Sequence, residues 1–316
     1  MFARLFGHIN SSTNFLLAIW AIVLCLVDFF VFKSDRFVFE TVWGEFHFIP
    51  VAGMLIQLGL IFAIMYALQW LLHANHHLIK RHAYLPFFTV PLVLLCAGGD
   101  LNFSVLTLIL LLIMGGWLSV YHGENVLSRV LNTGLLIGAG SFVDLRLAVL
   151  IVFTYVVYII FGRFNLRTSL ILLVGFFTVW VNIVGVEFIL FESSVTWTYF
   201  TGIFGMSKTL GHTEPGIYKL LVLVLIGAAG LIELPKTVSR ASVFKRQSYI
   251  LFGLLLGSMV LLYVFFPGAT FYLAAYLVTA LILFVNFFQY VKKMWIRELL
   301  MWVMIGVFII FQLEIL

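Results

Sequence analysis

Runs of about 20 apolar residues, closed each time by a short polar connection, leave this chain very few ways to fold. Residues 102–121 contain no Asp, Glu, Lys or Arg, and residues 168–190 contain only Glu187. A run of that length, coiled as a helix, matches the hydrocarbon thickness of a bilayer. Lipid offers no partner to a free backbone amide, so each run satisfies its hydrogen bonds within itself as an α-helix. Composition agrees: the chain is 64% hydrophobic and 10% charged, against about 45–50% and 25% in a soluble domain. The expected fold is all-α, a polytopic transmembrane helical bundle of about eleven spans. These lie near 14–32, 50–72, 84–98, 102–121, 130–143, 147–162, 168–190, 217–234, 249–266, 268–290 and 298–315. The fifth and sixth are short and are separated by Asp144, Leu145 and Arg146, which suits either a full pair of crossings or a re-entrant hairpin.

The connections are too short to hold a soluble domain, so any chemistry belongs at the membrane or its edge. Residues 1–13 precede the first span. Phe2, Leu5, Phe6 and Ile9 form a stripe at helical spacing with Arg4 and His8 among them, the pattern of a helix lying on the membrane surface. The apolar run that follows is too long for a signal-peptide core and has no small-residue cleavage site. Cys25 and Cys96 fall within apolar runs and read as packing residues. A net charge of +5 fits basic anchors near anionic headgroups. No basic face interleaved with stacking aromatics exists to bind nucleic acid.

Counting basic residues orients the chain. With the N-terminus in the cytoplasm, only Lys33, Arg36, Arg146, Lys208 and Lys219 of the 18 Lys and Arg residues fall outside, as the positive-inside rule requires. Most acids then lie at the outer face, among them Asp35, Glu40, Glu45, Asp100, Asp144 and Glu187, and so does His47. The two longest connections, 33–49 and 191–216, are also outer, which makes the outer face the expected place for a site. The C-terminus would end outside. Gly134/Gly138 and Gly253/Gly257 have the spacing that lets helices approach closely, either within the bundle or between subunits.

Within the outer face, Asp35 beside Arg36 stays ionised and has the chemistry of a general base toward an acceptor hydroxyl. A solvated loop has the same composition. Asp28 and Glu187 interrupt apolar runs, where an acid costs roughly 2.5–3.5 kcal/mol on insertion scales; such residues face a bundle interior, a cavity or a basic partner. Arg146 offers a planar fork to a phosphate or pyrophosphate, with Asp144 at the same tip, or the two residues simply mark a turn. His73 and His77 share a helical face with zinc-like spacing, but no Cys or acid joins them and Lys80 and Arg81 repel a cation, so no metal is expected. No cofactor motif is present. Trp197, Tyr199 and Phe200 suit an interfacial aromatic belt.

Residues 84–180 carry an ordered set of features: Leu95-Cys-Ala-Gly-Gly-Asp100, the span to Tyr121, Arg129, then Gly134-Leu-Leu-Ile-Gly-Ala-Gly140 with Asp144 and Arg146, then Arg163 and Arg167. That order resembles the C-type membrane glycosyltransferases, which take sugars from polyprenyl-phosphate carriers. The resemblance covers about a third of the chain and implies a glycosyltransferase C-type-like core at 14–216 with a four-helix extension at 217–316. It further implies a catalytic acid in the first outer loop, where Asp35 stands, although Arg36 occupies the place where that family often has a second acid. The whole chain also resembles a family of uncharacterised polytopic membrane proteins of Bacteroidota, which implies a bacterial inner membrane.

Two functional readings follow. In the first, the chain is an enzyme that moves a sugar or similar group from a polyprenyl-phosphate carrier at the outer leaflet. Asp35 and Glu187 would be its catalytic acids, and Arg36, Arg146, Asp144 and His47 its substrate-binding residues. In the second, it is a non-catalytic membrane subunit that organises a cell-envelope complex with a membrane-protein partner. A transporter is the third reading, without the internal repeat or paired broken helices that mark many of them.

Overall fold

The computed structural model describes residues 11–30, 37–41, 44–74, 84–97, 100–121, 125–191, 217–265, 270–291 and 293–313. Among them are eleven α-helices. The first six are α1 (Ser11–Phe30), α2 (Pro50–Gln69), α3 (Tyr84–Ala97), α4 (Leu101–Tyr121), α5 (Val126–Val143) and α6 (Leu150–Ile160). The other five are α7 (Leu166–Phe191), α8 (Ile217–Arg240), α9 (Val243–Phe265), α10 (Thr270–Tyr290) and α11 (Met294–Leu313). A π-helical turn, Trp70–Ala74, extends α2, and a 3-10 turn, Leu145–Val149, leads into α6. Seven stretches are long and apolar enough to cross a membrane. Pro86–Ala97, Leu145–Ile160 and Leu223–Ile232 are shorter apolar helical stretches.

The outer connection expected at 33–49 contains an antiparallel β-hairpin, β1 (Phe37–Thr41) and β2 (Gly44–Phe48), with Phe37 opposite Phe48 and Glu40 opposite Glu45. Its alternation of Phe, Val and Glu is the period of a strand with one covered face. β1 packs against α2, α4 and α5, which marks one end of the bundle as the hairpin end. Helices alternate in direction between this end and the opposite one. At the opposite end Arg129 donates to the Ser119 carbonyl, Arg163 to that of Tyr121 at 3.4 Å, and Gln247 to that of Ile160 at 2.9 Å.

These contacts decide the geometry of the short pair. α5 has 18 residues, about 27 Å of helix, and the 3-10 turn with α6 adds up to about 26 Å. Arg129 sits level with the end of α4, β1 touches α5, and Gln247 meets the last residue of α6. Both members therefore run the depth of the bundle.

The outer surface is apolar where that of a soluble protein is polar, around a core that is also largely apolar. Leu166, Val181, Phe188 and Ile189 are exposed, while Thr89, Ser104, Thr133, Ser141, Thr154 and Thr279 are fully buried. The buried groups join helices across the interior. Trp117 donates to Thr154 at 3.0 Å, Trp180 to Ser141 at 2.9 Å and Tyr249 to Asn286 at 3.1 Å. Lipid removes the hydrophobic drive between helices, so close packing and such bonds hold the bundle.

The glycines show where backbones meet. A Cβ on Gly134 would strike the Leu172 carbonyl oxygen, and one on Gly138 would lie 2.9 Å from that of Phe176. From α7, a Cβ on Gly175 would lie 2.6 Å from the Leu131 carbonyl oxygen. This first glycine pair thus packs α5 on α7 within the bundle. In the second pair Gly253 faces Leu234 of α8, whereas Gly257 faces open space. Helix α10 is the axle: 94% of its span is buried, and it packs against α3, α4, α8 and α9. Helix α11 lies on α3.

Candidate functional site

The hairpin end is assembled from chain segments far apart in sequence. Phe37, 2% exposed, lies on Gly53 of α2, where any side chain would collide with its ring. Phe29 at the end of α1 stacks on the same ring with centroids 6.5 Å apart. Beside them Val38 forms a parallel bridge with Asp100. The Asp100 carboxylate accepts from the Asn102 amide at 2.8 Å, an N-cap that stabilises the first turn of α4. Below this, the side chains of Gln57 and Ser104 exchange bonds at 3.0 and 3.2 Å, both residues buried.

The tip between α5 and α6 adds the charged part. Asp144 accepts from the Arg146 amide at 3.0 Å and so caps the 3-10 turn. The turn leaves the Arg146 side chain half-buried. Asp28 is 5% exposed near the end of α1, and Glu187 is 1% exposed on α7. Glu187 is the inward residue of a stretch whose neighbours, Val186, Phe188 and Ile189, face outward. It lies about two turns beyond Trp180, whose bond to Ser141 fixes α7 beside α5.

Of the residues singled out in the sequence, Asp144 and Arg146 stand together at this end, and Glu187 is buried at the matching end of α7. His47 is on β2, exposed, with its ring 3.5 Å from the Glu45 carboxylate. Asp35, Arg36 and the aromatic residues Trp197, Tyr199 and Phe200 lie outside the described residues, as do His76, His77 and His82. Among the described residues no three His, Cys, Asp or Glu side chains are grouped to hold a metal ion. Sequence reasoning passed over Gln57 and placed Asp100 at the outer face without its capping role. Gln57 breaks an apolar run as Asp28 does, so the same test would have found it.

Removing the Phe37 ring tests how firmly the hairpin is seated. Phe37→Ala should lose about 3 kcal/mol or more of packing. Amides of β1 and β2 should then exchange roughly a hundredfold faster, with the helices unchanged. Exchange at the wild-type rate would show that the ring does not hold the hairpin.

Eleven helices among the described residues, with an apolar exterior and buried acids near one end, define a multi-pass α-helical membrane protein. Residues 1–316 match the model of the family described as "Family of unknown function (DUF6427)", and the chain belongs to that family. No curated protein and no solved structure matches it. The likeness of residues 84–180 to C-type glycosyltransferases therefore rests on the order of sequence features alone.

Proposed function

We propose that the hairpin end is a site for a polyprenyl-phosphate-linked substrate, from which this protein transfers a sugar or similar group. The transfer takes place at the outer leaflet of a bacterial inner membrane, with the N-terminus in the cytoplasm. Residues 14–216 supply the site, and 217–316 form an extension. One observation carries the reading: a half-buried arginine on a capped turn shares its end of the bundle with two buried carboxylic residues. An acid buried at membrane depth is costly and points to function. A guanidinium there matches the one charged group of a polyprenyl carrier.

In this reading Arg146 holds the carrier phosphate and Asp144 keeps the turn in place. The acceptor hydroxyl attacks the anomeric carbon, the bond from that carbon to the phosphate oxygen breaks, and the hydroxyl proton passes to the Asp35 carboxylate. Polyprenyl phosphate leaves with the bonding electron pair. Arg36 and His47 are further substrate-binding residues, and Glu187 is an auxiliary acid.

The test is a native mass spectrum of the protein extracted in native-lipid particles, followed by turnover of whatever lipid-linked sugar it carries. Asp35→Asn should lower turnover by about a hundredfold or more, within the range of lost general-base catalysis, and should leave the lipid bound. Unchanged turnover removes Asp35 from the mechanism. A second reading, a non-catalytic subunit, draws on Gly257 and Gly306, which face open space on α9 and α11 and would let a partner helix approach closely. A stoichiometric protein in the spectrum, with ordinary phospholipid alone, would favour it.

A further inference from the structure

The opposite end of the bundle carries a second feature, independent of the site above. The connection between α6 and α7 is built rigidly. Gly162 takes a left-handed conformation at φ 65°. The Arg163 amide returns to the Tyr158 carbonyl at 2.8 Å and the Gly162 amide to that of Ile159 at 3.0 Å, a Schellman closure of α6. Helix α7 then opens with a reciprocal cap: the Thr168 amide donates to the Asn165 side chain at 2.8 Å, and the Asn165 amide donates to the Thr168 hydroxyl at 3.1 Å. With both ends of the connection fixed, Arg163, Phe164, Leu166 and Arg167 are all held outward.

Basic neighbours gather around this corner. Arg163 reaches the Tyr121 carbonyl, and the Tyr121 ring packs against Phe161 and Phe244 at 5.5 and 4.7 Å. Directly after Phe244 come Lys245, half-buried, and Arg246, exposed. Arg129 stands one step away on the Ser119 carbonyl. Arg129, Arg167, Lys245 and Arg246 all fall in the first turn of their helices, where the helix dipole disfavours a cation. No acid among the described residues of α4, α5, α6, α7 or α9 lies at this end; Glu124, in the α4–α5 connection, is outside them.

We infer that the α6–α7 corner, with Arg129, Lys245 and Arg246, is a docking surface for anionic phospholipid of the adjacent leaflet. Charge complementarity identifies the headgroup as a phosphate with net negative charge, since a zwitterionic one leaves the cations uncompensated. Phe164 and Leu166, exposed between the two arginines, sit where acyl chains meet headgroups, the arrangement by which an interfacial segment combines apolar contact with attraction to anionic lipid. A soluble phosphate satisfies the cations but gives nothing to these two side chains.

The test titrates the full-length protein in detergent with phosphatidylglycerol or phosphatidylcholine and reads bound lipid by native mass spectrometry. Wild type should prefer phosphatidylglycerol by about tenfold or more, given several cations at the surface. Arg163→Gln with Arg246→Gln, both exposed, should bring the two lipids to near parity with an unchanged melting temperature in lipid-free detergent. Phe164→Ala should weaken both lipids alike. Equal affinity for the two lipids in wild type would overturn the inference, as would an unchanged preference in the double variant. Displacement of phosphatidylglycerol by millimolar glycerol 3-phosphate would overturn it too, by assigning the surface to a soluble phosphate.

Discussion

Replacing Gly134 by alanine should separate α5 from α7 and leave little monodisperse protein. The added methyl would strike the Leu172 carbonyl oxygen and lie 3.2 Å from the Gly175 Cα. Both are backbone groups, so no rotamer change makes room and the helices must move apart. The expected loss is about 3 kcal/mol or more, at the upper end of overpacking costs. Gly138→Ala, whose methyl would lie 2.9 Å from the Phe176 carbonyl oxygen and 3.0 Å from Val179, should cost less because its backbone contact is longer than the one at Leu172. Gly257→Ala, facing open space, should stay within about 0.5 kcal/mol. Thermal unfolding of the three variants in one detergent checks the order. A Gly134→Ala protein as stable as wild type would mean that α5 and α7 do not touch as described.

Arg146→Gln should weaken binding of a polyprenyl phosphate by roughly ten- to a hundredfold, because hydrogen bonds to charged groups are worth about 1.5–3 kcal/mol. Arg146→Lys keeps the charge but loses the two-pronged contact and should fall between. Folding is a separable matter, since the turn is held by Asp144 on the backbone amide of residue 146, which both substitutions keep. Asp144→Ala removes that cap and should cost about 1 kcal/mol, whereas Asp144→Asn retains an acceptor and should not. Titrating each variant with a short-chain polyprenyl phosphate, beside its melting curve, distinguishes binding from folding. Wild-type affinity in Arg146→Gln would dismiss this arginine as the phosphate ligand.

Helices were legible because lipid enforces them. The run expected at 102–121 is Leu101–Tyr121, and that expected at 168–190 is Leu166–Phe191. Errors cluster at one kind of boundary. α9 starts at Val243 where the apolar run suggested 249, α11 at Met294 where it suggested 298, and α8 continues to Arg240 past the expected 234. In each case charged residues form a further helical turn at the polar end, because hydropathy records where lipid stops and not where the backbone stops bonding. The β-hairpin was overlooked although Phe37-Val-Phe and Phe46-His-Phe alternate, since charged neighbours made 33–49 read as solvated loop. The candidate site was legible only in part. Asp144, Arg146 and Glu187 stand out as charges among apolar residues, but their placement at one end of the bundle depends on how α5 packs on α7, which no local pattern encodes.

Helix α10 enters the membrane late and finishes where lipid scarcely reaches. Most of the chain is synthesised and inserted before Thr270 emerges, so α3, α4, α8 and α9 must wait with a vacant slot between them. A ribosome that stops short of residue 270 therefore releases a chain with every earlier helix threaded and no centre to gather them. In such a chain Phe88 of α3 lacks the Phe284 and Phe288 rings it otherwise lies against.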